Sequence, residues 1–175
     1  ASAHFKKGDH PNAAEQFETL LEEYPKSKLL ASMHFQAGES HLQLKNIEAA
    51  RVHFAAASKL AGSPQPLMES ITMRLGETQA LTGNHTEAAA AYSTFLEKFP
   101  ESRWTRNARF GFAFATEQAG DPTAAHPEYA KLPDGSKLAL STVRSRLQPG
   151  ACDAQLKPTD QAVRDVGKVE ISDPP

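Results

Sequence analysis

Seven histidines and a single cysteine, Cys152, are the side chains of this 175-residue sequence best suited to metal or covalent chemistry. His34 and His41 stand seven residues apart. On a helix they share one stripe, but the rise sets them about 10 Å apart, too far to hold one ion between them. His10, His53 and His85 fall at turns or on the outer helices of the pairs described below. The sequence contains no H-E-x-x-H pair, no phosphate-cradling G-x-x-x-x-G-K-[ST] or G-x-G-x-x-G, and no G-x-S-x-G elbow. Cys152 has no second cysteine for a disulfide and builds no thiolate metal site; it reads as a bystander thiol in a polar tail. Serines and carboxylates are plentiful, and none stands in a recognisable catalytic setting. The expectation is a chain without catalytic residues, bound metal or cofactor.

The elements that would position any site show best between Leu75 and Ser102, LGETQALTGNHTEAAAAYSTFLEKFPES, which reads helix, turn, helix, stop. Gly83-Asn84 breaks the first helix. Ala88 and Tyr92 lie one turn apart on a single face of the second. Pro100 ends it, having no N–H to donate and a ring that clashes with the preceding turn. Ala13, Phe17 and Pro25 repeat the offsets of Ala88, Tyr92 and Pro100; Ala50 and Phe54 repeat the first two, with Gly62 in the proline's place, and Ala125 and Tyr129 repeat them again. The breakers Gly8-Asp9, Lys45-Asn46, Gly83-Asn84 and Gly120-Asp121 are spaced by 37, 38 and 37 residues. A fixed period of this size means stacked supersecondary units.

These residues resemble the tetratricopeptide signature, W-x2-L-G-x2-Y followed by A-x3-F and P. One unit offers Thr72, Leu75-Gly76 and Gln79, then Ala88, Tyr92 and Pro100; the unit before it offers His34, Ala37-Gly38 and His41, then Ala50 and Phe54. In the last unit Phe112 and Ala113 take the Leu-Gly places and the closing proline is lost, Pro133 falling four positions early. The resemblance implies an all-α fold, a right-handed α-solenoid of about four helix-turn-helix repeats over residues 1–133. The Trp and Tyr places hold Thr, His or Gln, so thinner interhelix packing is expected, with partly buried, hydrogen-bonded imidazoles. The joints Tyr24-Pro25-Lys26-Ser27 and Phe99-Pro100-Glu101-Ser102 look like those of bacterial cell-envelope members, such as the Tol-Pal cell-division coordinator and the outer-membrane barrel-assembly lipoprotein. They imply a periplasmic or envelope location, with the cytoplasm as the alternative.

Composition narrows the partners. Residues 1–132 carry 13 Lys and Arg against 15 Asp and Glu, and residues 133–175 carry six of each, so no basic face for nucleic acid is expected. The longest apolar run falls far short of the ~18 residues a membrane span needs. The sequence starts inside a repeat, without an initiating Met or a signal peptide, and reads as a fragment or processed product.

What remains is surface. Resemblance to the repeat lines the concave face with the first helix of each pair: Phe35, Glu39 and Leu42, then Met73, Arg74, Glu77 and Ala80, then Phe110, Phe114 and Glu117. Aromatic and Met anchors with acidic neighbours suit an extended or helical peptide bearing basic and apolar side chains. Phe35 and Phe110 have packing against the adjacent helix as their alternative role. The implied function is a non-catalytic scaffold that binds a peptide or partner protein. The alternative is a structural spacer or oligomerisation segment of a larger envelope or secretion protein, with self-association through the array ends. Beyond Pro133, the stripe Leu138, Leu140, Val143 and Leu147 is expected to form a capping helix within 134–150 over an apolar face left by Ala125, Tyr129 and Leu132. Residues 151–175 are expected to be disordered.

Overall fold

Each pair of helices is fixed first by the turn that joins it. In the computed structural model, which describes residues 1–60 and 62–132, the four sequence breakers are the four interhelix turns. Gly8, Lys45, Gly83 and Gly120 all have positive φ, at 78°, 60°, 79° and 97°. Each closes its helix with the same two bonds. The residue after the breaker donates its N–H five residues back, as Asn46 to the His41 carbonyl and Asn84 to the Gln79 carbonyl; the breaker itself donates three back, as Lys45 to Leu42. This is the Schellman closure, which satisfies the carbonyls a helix end leaves orphaned.

The described residues form eight helices: α1 (Ser2–Lys6), α2 (His10–Glu23), α3 (Leu30–Gln43), α4 (Ile47–Ser58), α5 (Gln65–Leu81), α6 (His85–Lys98), α7 (Thr105–Gln118) and α8 (Pro122–Ala130). They pack in sequence order as four pairs, with no strand among the described residues; between pairs, α1 also touches α3, and α5 touches α7. Asn46 and Asp121 cap α4 and α8 through bonds from the Ala49 and Ala124 amides. Asp9 holds the cap place of α2, but its carboxylate takes the Asn12 side chain and His4 instead of the backbone. Ser27 accepts from the Leu29 amide at 3.1 Å, one turn ahead of α3; Ser102 does the same for Trp104 at 3.3 Å. The two aromatic-Pro-x-Ser joints are thus one local device.

The core is aromatic against glycine. The ring of Tyr92, on α6 and 1% exposed, lies between Gly76 of α5 and Gly111 of α7. A Cβ at Gly76 would stand 2.8 Å from Tyr92 Cε1, and one at Gly111 2.5 Å from Tyr92 Cζ. Phe54 meets Gly38 in the same way, at 2.7 Å. The largest cluster joins Tyr92, Phe95, Phe99, Phe110, Phe114 and Leu132; two smaller ones lie around Phe17, where α2 meets α3, and around Ile71, where α5 meets α3 and α4.

Repeat four closes on its own first helix. Ala125 and Leu132 are buried, and the Tyr129 ring packs 5.8 Å from Phe110. This face of α8 packs on its own pair, as Ala88 and Tyr92 do. Pro127 lies inside α8 and not in its first turn, which removes the backbone bond to the Thr123 carbonyl. The expected cap at 134–150 and the tail at 151–175 lie outside the described residues.

Two substitutions test this account. Gly111→Ala gains about 1 kcal/mol of helix propensity, yet drives a methyl into a ring already backed by Gly76, an overpacking cost of about 1–3 kcal/mol. The thermal midpoint should fall; a rise would show that the ring has room. Lys45 is the only described non-glycine residue at positive φ. Lys45→Gly relieves a left-handed conformation costing about 1–2 kcal/mol, offset in part by glycine's unfolded-state entropy, so the midpoint should rise.

Candidate functional site

The first helices of pairs two, three and four meet in a cleft of about 220 Å³. Phe35 of α3 forms one wall; Ser70, Met73, Arg74 and Glu77 of α5 form the floor; Trp104 and Asn107, at the start of α7, form the other wall. The cleft continues past Ser70 and Trp104 into a shallower depression beside Pro66, Glu69 and Arg103. Trp104 is held at its mouth by the Ser102 turn, and the Arg103 guanidinium lies 4.9 Å from its ring centroid. Ser102 in turn donates to Glu69 of α5 at 2.9 Å, tying the joint to the cleft floor.

Arg74 organises the charges. It donates to both oxygens of Glu39, at 2.7 and 3.2 Å, and to Glu77 at 2.8 Å. Burial alone would lower the Arg74 pKa, but the two carboxylates outweigh it and leave the pKa raised. One cation against two anions leaves the floor with a net negative charge, and the Glu39 pair bridges α3 to α5.

The residues expected to face a partner therefore separate. Phe35, Met73, Arg74 and Glu77 line the cleft, and Glu39 pairs with its arginine. Phe110 and Phe114 are corrected from anchors to core. They are 4% and 1% exposed, and their rings stack 6.1 Å apart between α7 and its neighbours. Met73 offers only an edge, being 8% exposed. Leu42, near the far end of α3, is half-buried and outside the cleft, as is Ala80 in the core. Glu117 accepts from the Tyr129 hydroxyl at 2.8 Å. Sequence reasoning missed Ser70, Asn107 and Trp104. The signal was present: Ser70 and Asn107 stand one period of 37 residues apart, and Trp104 follows the Phe-Pro-Glu-Ser joint.

The histidines gather elsewhere. His34 Nδ1 lies 3.1 Å from His53 Nδ1, and the His41 and His53 rings stack 5.4 Å apart, 12° from parallel. His41 Nε2 meets a Glu18 oxygen at 2.7 Å, while its Nδ1 is buried without a partner among the described residues. Burial lowers the pKa of His34; burial, then the neighbouring imidazoles, lower that of His53. The expectation that His34 and His41 are partly buried, hydrogen-bonded packing residues agrees with this placement. It did not foresee that α2 and α4 would bring Glu18 and His53 to them.

The tetratricopeptide repeat family matches residues 1–65 and, again, residues 35–103. The chain belongs to the tetratricopeptide repeat family. Repeats of this family generally mediate protein–protein interactions and are typically non-catalytic scaffolds. No curated protein sequence matches the chain. No helix among the described residues is long and apolar enough to cross a membrane.

The Glu39–Arg74–Glu77 cluster makes a measurable claim on stability. Glu39 is only 14% exposed, so Arg74→Met strands it; the expected loss is about 1–2 kcal/mol, between the exposed and buried limits for ion pairs. A double-mutant cycle with Glu39→Gln should give favourable coupling. Additive single effects would show that the bridge does not join the repeats energetically.

Proposed function

We propose that this tetratricopeptide array is a non-catalytic binding module that takes a peptide or protein segment across α3, α5 and α7. The observation that carries the reading is the cleft itself, built from the first helices of three successive pairs and walled by Phe35 and Trp104. Two aromatic walls supply apolar contact at low entropic cost, and the net negative floor favours a segment with basic and apolar side chains. Asn107 and Ser70 add neutral hydrogen-bonding groups at the rim. The partner is protein, not nucleic acid, since the described array has no excess of basic residues to meet phosphates. The periplasmic or cell-envelope location belongs to the same proposal and rests on the two aromatic-Pro-x-Ser joints alone.

Trp104 is the only tryptophan in the sequence, so its emission reports on the cleft directly. Peptides selected by display against the chain should shift or quench that emission. Phe35→Ala should weaken them about tenfold or more, as expected when an interface anchor worth over 1 kcal/mol is truncated. Selected peptides that leave Trp104 emission unchanged and bind Phe35→Ala at full strength would refute the cleft. A chain that binds no peptide but self-associates across a light-scattering dilution series would support the spacer reading in its place.

A further inference from the structure

Glu18 on α2, His41 on α3 and His53 on α4 each offer one donor atom, and the three atoms lie within 4.8 Å of one another. Both imidazoles present Nε2 to the same Glu18 oxygen, His41 at 2.7 Å and His53 at 3.8 Å. We propose that these three side chains bind a divalent transition-metal ion of the Zn²⁺ type, with His34 as the residue that positions His53.

The donor set selects the ion. Two imidazoles and one carboxylate suit Zn²⁺ and its first-row neighbours, whereas Ca²⁺ and Mg²⁺ require oxygen ligands. Donors bound at about 2.0–2.2 Å around a tetrahedral ion stand roughly 3.3–3.6 Å from one another. The present separations lie on both sides of that range, so a small closure suffices. The group best able to move is Glu18, whose side chain is 47% exposed; those of His41 and His53 are 12% and 14% exposed and are held by their stacking. Three protein ligands leave the fourth position to water.

His34 supplies what the ligands alone lack. To ligate through Nε2, His53 must carry its proton on Nδ1. That N–H then donates to His34 Nδ1, 3.1 Å away, which fixes both the tautomer and the ring plane. Ligand histidines characteristically donate their other N–H in this way. The ion would join the second helix of repeat one to both helices of repeat two. The aromatic cleft shares only α3 with this cluster, so the two proposals stand separately.

The test is titration of the full chain, stripped with a chelator, with Zn²⁺ in a calorimeter and with Co²⁺ by visible absorption. The expected result is one ion per chain, a higher thermal midpoint with Zn²⁺, none with Mg²⁺, and a Co²⁺ spectrum of low coordination number. Glu18→Gln and His41→Ala should abolish or sharply weaken binding, His34→Ala should weaken it about 10- to 100-fold, and His126→Ala, on exposed α8, should leave it unchanged. If His41→Ala fails to fold by circular dichroism, the half-exposed Glu18→Gln decides. Absence of binding, or binding that survives Glu18→Gln and responds to His126→Ala, overturns the site.

Discussion

The contact on which the other contacts depend is an aromatic ring seated where a helix has no Cβ. Two helices of a pair can approach only as closely as their facing side chains allow, and Gly38 and Gly76 remove that limit opposite Phe54 and Tyr92. Each glycine costs the helix about 1 kcal/mol relative to alanine, while burying a large apolar side chain contributes about 1.5–3 kcal/mol. The ring therefore wins. Tyr92 goes further, because Gly111 of the next pair closes on its other face. One side chain then sets both the packing within repeat three and the stacking of repeat four upon it. Burial, with a smaller push from Glu77, raises the Tyr92 pKa well above its ordinary value, so the phenol stays neutral within this stack.

That device is unevenly distributed, and so is the core. From α5 onward the aromatic cluster is continuous, running from Met73 through Tyr92 to Leu132. Before it lie two smaller clusters, one around Phe17 where α2 meets α3 and one around Ile71 where α5 meets α3 and α4. Beside the Phe54 ring, the space between α3 and its neighbours is shared by His34, His41 and His53. An imidazole buries less favourably than a phenyl ring and must find partners for its nitrogens. Because a solenoid's stability is roughly a sum of local repeat and interface terms, a weak joint is not rescued by a strong one two repeats away. The N-terminal pairs therefore depend on polar contacts such as His41 to Glu18 to a degree that repeats three and four do not.

The period was legible because its cause is local. Gly8, Lys45, Gly83 and Gly120 are turn residues whose left-handed backbone the sequence betrays by residue type or spacing, and the helices follow from them. The cleft was only half legible. Phe35 and Phe110 occupy the same register position, yet one lines the cleft and the other is core. The difference is made by α8, whose Tyr129 covers Phe110, and no periodicity within α7 encodes that cover. The histidine cluster was legible only as a pair. The i, i+7 argument correctly separated His34 from His41 along α3, but His53 and Glu18 arrive from other helices by tertiary packing alone.

Helix α3 is where these features meet, and its two faces explain why the cleft and the histidine cluster stay distinct. Ala37 and Gly38 face the core. Phe35 and Glu39 face α5 and the cleft. His34 and His41 face α2 and α4. At 3.6 residues per turn His34, Ala37, Gly38 and His41 share one stripe at different heights, while Phe35 and Glu39 lie about a third of a turn away, so one rigid rod presents the histidine cluster and the cleft on separate sides. Glu39 fixes the rod to α5 through Arg74, and Gly38 fixes it to α4 through Phe54. Any influence of the histidine face on the cleft must therefore pass through the position of α3 as a whole, against both of those contacts. The ring packed on Gly38 resists translation toward α4, and the bidentate arginine resists rotation away from α5. The same contacts that bring the two surfaces onto one helix hold each in its own geometry.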